Sequence, residues 1–246
     1  MPDGMMIFIG LVFALSGLVK GVIGLGLPTI SMGLLAIIMR PIEAAALLIL
    51  PSLLTNIWQM IAGPSLRAIV RRLWPMMLAV CLGTWAGAGF MTGNSGHYGT
   101  ALLGVALILY SLTDLANLRL AIPRKRERVC GLVSGAITGL ITAATGVFVI
   151  PAVLCLQAIG LEKDDLVQAL GLSFTVSTLA LAVNVGSAGA LNISLAGSAI
   201  GALATACWGM WVGTVLRRQL EPATFRRWFF ISLLLLGCYL TVRALD

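Results

Sequence analysis

The sequence predicts an all-α, polytopic membrane protein built as two inverted repeats of about five helical segments each, with broken or re-entrant helices. Three observations carry that prediction. The chain is 59% hydrophobic and only 10% charged, against roughly 25% charged residues in an ordinary soluble domain. Its uncharged stretches, at 5–19, 21–39, 44–66, 73–113, 129–161, 166–216 and 228–242, are long. Several exceed the ~20 apolar residues that one transmembrane helix needs and must therefore contain hairpins. Finally, a glycine-interrupted segment occurs twice: S-G-x-x-x-G runs from Ser16 through Gly17 to Gly21, and again from Ser134 through Gly135 to Gly139. A porin-like barrel is excluded because its alternating polar and apolar strands are absent.

Turn and charge signals place the helical segments at about 5–20, 25–39, 43–63, 73–92, 97–117, 129–142, 146–159, 165–187, 193–216 and 225–244. The first two of each half are short, near 15 residues and so roughly 22 Å, less than the ~30 Å hydrocarbon core. They are expected to be tilted or re-entrant, with their breaks inside the membrane. The division between halves falls in the basic linker 119–128 (R-L-A-I-P-R-K-R-E-R), giving a first repeat at 1–122 and a second at 123–246, together one membrane domain.

Orientation follows from loop charge. Arg67, Arg71 and Arg72 mark one cytoplasmic loop; Arg119, Arg124, Lys125, Arg126 and Arg128 a second; Arg217, Arg218, Arg226 and Arg227 a third. The loops at 92–97 and 187–192 carry no Lys or Arg and read as external. Threading the segments between these anchors puts both termini outside and the central linker inside, so the two halves run in opposite directions. Arg40 and Arg243 lie outside in this scheme and the acidic residues of 162–165 inside. The net charge of +7 therefore belongs to membrane topology and not to nucleic-acid binding, for which there is no soluble domain. The N-terminus lacks the basic region of a cleavable signal peptide, so the first segment reads as a retained helix.

Paired broken segments are the sequence pointer to a transporter's substrate site. Lys20 is the only basic residue before Arg40, and it sits among Gly17, Gly21, Gly24 and Gly26. A charge inside a membrane segment is costly and marks function by default. Gly24 and Gly26 permit unusual dihedrals, and Pro28 suits the first turn of a restarting helix whose free N–H groups attract an anion. The second copy offers Thr142 and Thr145 beside Gly146, with Thr138 and Gly139 one turn earlier. Competing readings are a Lys20 that snorkels to the interface, glycines that serve close helix packing, and threonines that bond their own helix.

Each break is followed by a helix with a polar strip. In the first half Ser52, Thr55, Asn56 and Gln59 recur at i, i+3, i+4 and i+7; in the second Ser173 and Ser177 share a face. Such faces turn inward, to another helix or to a pore. The site read from the residues is thus Lys20, Gly24, Gly26, Pro28, Asn56, Gln59, Thr142, Thr145, Ser173 and Ser177, with Asn184 a weaker member. Asp114, near a cytoplasmic helix end, is expected to be satisfied by Asn117 and Arg119. The five cysteines are scattered and His97 is isolated, so neither a metal site nor a disulfide framework is expected, and no cofactor.

The run G-L-V-K-G-V-I-G-L-G-L-P-T-I (17–30), followed by E-A-A-A-L-L-I-L-P-S-L-L-T-N-I-W-Q (43–59), resembles the sulfite exporter TauE/SafE family over essentially the whole chain. The resemblance implies a multi-pass protein of the bacterial inner membrane that moves small sulfur-containing anions such as sulfite, sulfoacetate or thiosulfate. The family's entry motif often has three successive glycines, where this chain has Gly24-Leu25-Gly26 and, in the second copy, Thr145-Gly146.

The expected function is anion transport by alternating access, with the lipid bilayer and a small anionic substrate as partners. Whether the chain forms a homodimer is open. An intramembrane enzyme would need paired carboxylates, a histidine cluster or an activated nucleophile. A non-transporting subunit of a larger membrane complex is the remaining class. Flux across liposomes separates the three.

Overall fold

The computed structural model describes residues 3–91, 96–116, 120–191, 196–217, 219 and 222–244. Among them all regular structure is helical. The order is α1 (Asp3–Ile23), α2 (Leu27–Leu35), α3 (Pro41–Ile61), α4 (Leu66–Ala86), α5 (Gly96–Leu115), a 3-10 turn (Arg124–Arg126), α6 (Glu127–Thr145), α7 (Ala152–Ala158), α8 (Lys163–Ser187), α9 (Ala196–Leu216) and α10 (Pro222–Arg243). Six of these helices are long and apolar enough to cross a membrane.

Burial is inverted relative to a water-soluble bundle. Lys20, Ser52, Thr55, Asn56 and Gln168 are buried, whereas Leu11, Trp58, Leu82, Trp85, Trp211 and Leu235 are exposed. Only a lipid surround makes such an arrangement favourable, because apolar side chains gain nothing by leaving hydrocarbon and polar ones lose by entering it. This is an integral, multi-pass membrane protein.

The two expected breaks are present, at shifted positions. α1 continues through Lys20 and Gly21 to Ile23, and the chain turns at Gly24 (φ 79°) and Gly26 (φ 110°), with Pro28 in the first turn of α2. These left-handed dihedrals are costly for any residue with a Cβ. α6 likewise runs to Thr145, stops at Gly146 (φ 72°), and α7 restarts after a cis Ile150–Pro151 bond. The expectation that the first two segments of each half are both near 15 residues is corrected: α1 has 21 and α6 has 19, but α2 has only 9 and α7 only 7.

The reason lies in what the glycines do. A methyl group at Gly17 or Gly21 would collide with the carbonyl of Ala206 or Met210 on α9. One at Gly135 or Gly139 would meet that of Met76 or Val80 on α4. These four glycines stay helical and let backbones touch, the usual membrane use of small residues. The breaking is left to Gly24, Gly26 and Gly146.

The helices pack in four main pairs. α1 packs on α9 and α6 on α4, α3 crosses α8, and α5 pairs with α10. Exchanging α1–α5 for α6–α10 maps the first two pairings onto each other and the last two onto themselves. The helix ends sort onto two opposite faces. Residues 60–72, the end of α5, the 124–128 turn, the start of α8, Arg217 and the first turns of α10 share one face, joined by bonds such as Arg72 to Glu127 (2.5 and 3.0 Å) and Arg72 to the Ile159 carbonyl (3.1 Å). The α2–α3 connection, Met91, Ala188–Ala190 and Arg243 share the other.

Two further expectations change. α4 begins at Leu66, not near 73, so Arg67, Arg71 and Arg72 ride on its first turns. Arginine favours a helix and can snorkel from one, so a basic cluster need not be a loop. Asp114 is bound by both Nε and an Nη of Arg226 on α10, a partner distant in sequence. The expected partners Asn117 and Arg119 lie outside the described residues, as do Arg218, residues 92–95 of one expected external loop and Asn192 of the other.

Candidate functional site

α1 and α3 converge on one buried polar cluster. The Lys20 ammonium, only 5% exposed, donates to Thr55 Oγ1 at 3.0 Å and to Asn56 Oδ1. Thr55 in turn donates to the Pro51 carbonyl (2.7 Å), and Asn56 Nδ2 donates to Ser52 Oγ (2.9 Å). Ser52 Oγ reaches Thr178 Oγ1 of α8 at 3.2 Å, so the chain of hydrogen bonds crosses between the two halves. The i, i+3, i+4 spacing of Ser52, Thr55 and Asn56 places all three on the face of α3 that turns inward.

Lys20 joins none of the ion pairs among the described residues; those are Arg40–Glu43, Arg72–Glu127 and Arg226–Asp114. Its partners are neutral. A buried cation without a carboxylate is expensive, and neutral acceptors leave its charge free to attract an anion. That is the chemistry this cluster offers.

The remaining predicted residues fall around it in different settings. Ser173 and Ser177 are fully buried on α8, which packs on α3, and their hydroxyls have no partner among the described residues. Gln59 lies on the same strip but donates to the Val167 carbonyl at 3.0 Å, tying α3 to α8 instead of reaching Lys20. Thr142 and Thr145 donate to the Thr138 and Ile141 carbonyls (both 2.7 Å), and Thr145 Oγ1 also accepts from Val147 N–H at 3.2 Å. They close the end of α6. Gly24, Gly26 and Pro28 form the α1–α2 turn, where Thr29 Oγ1 donates to the Gly26 carbonyl (2.9 Å). Asn184 is buried on α8.

The repeat offset sets Lys20 opposite Thr138, and the two positions differ in use. Thr138 Oγ1 donates to Ser134 O (2.8 Å) and accepts from Ala152 N–H (3.0 Å), fastening the start of α7 to α6. The first half spends the equivalent position on a charge.

The cluster is closed to both faces. A cavity of about 840 Å³ opens at the α2–α3 connection, lined by Arg40, Glu43 and Arg243 among others. Another of about 1040 Å³ opens on the basic face, lined by Asp114, Lys163, Arg217, Arg226 and Arg227, with Val22 and Ile23 from the end of α1. Lys20 lines neither.

Matching the sequence to families decides its relationship: it fits the model of the sulfite exporter TauE/SafE family over residues 9–240. The chain belongs to the TauE/SafE family. As a member of that family it is a membrane transporter for anions of the sulfite type. No curated protein and no solved structure matches the chain.

Sequence reasoning did not single out Thr178 or Gln168. Gln168 Nε2 donates to the Met60 and Gly63 carbonyls (both 2.7 Å), and its Oε1 accepts from Ser65 N–H (3.0 Å). The available signal was its place on α8 five residues before Ser173, with a polar group on an otherwise apolar turn.

Proposed function

We propose that this protein carries small sulfur-containing oxyanions or sulfonates, of the size and charge of sulfite, thiosulfate or sulfoacetate, across the bacterial inner membrane by alternating access. The observation that carries the reading is the buried Lys20 ammonium held by Thr55 and Asn56 with no carboxylate beside it. The substrate's negative charge would supply the missing counter-ion. Ser173 and Ser177, whose buried hydroxyls are unpartnered, would donate to its oxygens. The turn at Gly24, Gly26 and Pro28 starts α2, and the free N–H groups of that start would add to the attraction for an anion. Thr142 and Thr145 keep acceptor capacity beside the matching break and would line the opposite wall.

Two halves, 1–122 and 123–246, of opposite orientation would supply the motion. The exchange-related packing of α1 on α9 and α6 on α4 supports that division. An occluded cluster between two cavities is what a rocking carrier looks like midway. The positive-inside rule makes the face bearing residues 67–72, 124–128 and 217–227 the cytoplasmic one. Asn56 is 15 residues from the start of α3 and five from its end, so the site lies roughly 22 Å from one end of the helix and ~8 Å from the other. It therefore lies off the midplane, displaced toward the cytoplasmic face.

Counter-flow of labelled anions into proteoliposomes tests the reading. Saturable exchange of a sulfur oxyanion or sulfonate, with little exchange of simple carboxylates, is the expected result. A folded protein that exchanges none of these anions would overturn it.

A further inference from the structure

The cavity on the basic face is separate from the Lys20 cluster, and its lining is unbalanced. Lys163 from the start of α8, Arg217 from the end of α9, and Arg226 and Arg227 from α10 meet there with Asp114 of α5 as the one acid among the described residues. Asp114 is already committed to Arg226. Lys163, Arg217 and Arg227 join none of the ion pairs among the described residues. The outer cavity differs, because Glu43 there neutralises Arg40 (2.6 Å) and Arg243 donates to the Ile37 carbonyl (2.8 Å).

Position matters as much as charge. Val22 and Ile23, the last turn of α1, form part of the wall. Lys20 lies three residues back along the same helix, about 4.5 Å in helical rise. The ends of five helices thus line an open pocket on the basic face, with Lys163, Arg217 and Arg227 exposed on it and α1 running from its wall back to Lys20. Walls of low dielectric and one sign of charge focus the field and raise the local concentration of counter-ions.

We infer that this vestibule is a second, outer anion site, formed by Lys163, Arg217 and Arg227, that collects small divalent oxyanions before they reach Lys20. The inference rests on the transport reading for its purpose but not for its existence, since binding there is measurable without flux. Arg226 lines the same pocket but is held by Asp114. The ligand class is a compact oxyanion, which the guanidinium groups can bind with two parallel hydrogen bonds.

Equilibrium dialysis of labelled thiosulfate against detergent-purified Lys20→Met protein, intact in chain length, tests the site directly. Saturable, salt-sensitive binding is expected to survive in Lys20→Met and to disappear when Arg217→Gln and Arg227→Gln are added. Loss of all thiosulfate binding in Lys20→Met alone would overturn the inference, as would full retention after the two arginine changes. In proteoliposomes, Arg217→Gln/Arg227→Gln is expected to raise KM from the basic face about tenfold at low ionic strength, with the maximal rate changed less than ~twofold. Arg67→Gln/Arg71→Gln removes the same charge from the same face outside the vestibule and is expected to leave KM alone. An equal rise in both double variants means surface charge and no site. A KM effect seen in phosphatidylglycerol vesicles but not in phosphatidylcholine would assign the pocket to a lipid headgroup and also overturn the inference. Absence of flux in the wild-type protein with binding retained in Lys20→Met would defeat the transport reading alone.

Discussion

Lys20 Nζ and Thr55 Oγ1 lie 3.0 Å apart, both buried, joining the last turn of α1 to the inward face of α3. Asn56 accepts from the same ammonium. The position on α1 is ordinary; the absence of an acid is not. A buried lysine is normally matched by a carboxylate, and Lys20 has none among the described residues.

Asn56→Asp adds that carboxylate with almost no change in shape. An internal ion pair with Lys20 would then compete with the anionic substrate. Counter-flow is expected to fall at least ~tenfold while the thermal unfolding midpoint holds or rises, because one charge now offsets the other. Unchanged flux in Asn56→Asp would show that the ammonium does not meet substrate.

Gly21 and Gly24, three residues apart, should respond differently to alanine. At Gly21 the added methyl meets the Met210 carbonyl of α9, and helix separation must grow; destabilisation of about 1–3 kcal/mol is expected. At Gly24 no atom lies within 4 Å, so only the φ of 79° is strained, costing about 1–2 kcal/mol. Crosslinking between α1 and α9 cysteine pairs should weaken in Gly21→Ala and persist in Gly24→Ala. The reverse pattern would contradict the packing described.

Gln168→Ala removes the side chain that satisfies two carbonyls and the Ser65 N–H at the α3–α4 turn. Half-buried backbone groups left without partners make this a loss of about 1 kcal/mol in a thermal or denaturant unfolding measurement. Val167→Ala, at a neighbouring exposed position, serves as the comparison and should cost less than half as much.

Much of this was legible in the chain itself. The ten α-helices among the described residues each match an expected segment, because lipid enforces long uncharged runs separated by charge and glycine. Lys20 and Asn56 stood out for the same reason: polarity inside hydrocarbon is rare enough to be informative. What the sequence leaves open is which glycines break a helix and which let two helices pack. Gly21 and Gly139 are helical because a neighbouring backbone lies against them, and no local signal separates them from Gly24 or Gly146. The Asp114–Arg226 pair could not be read either, since 112 residues separate its members and only the pairing of α5 with α10 brings them together. Nor did the strip predict that Gln59 would face α8 backbone while Asn56, one turn earlier, meets Lys20. Helical spacing gives a face, not a partner.

The most direct measurement compares labelled thiosulfate and sulfite counter-flow in proteoliposomes for the wild-type protein and Lys20→Met, with unfolding midpoints recorded on the same preparations. The account expects exchange in Lys20→Met to drop by at least ~100-fold, the order expected for losing a buried charge-assisted contact, while the midpoint is unchanged or higher. Wild-type exchange persisting in a folded Lys20→Met protein would contradict it.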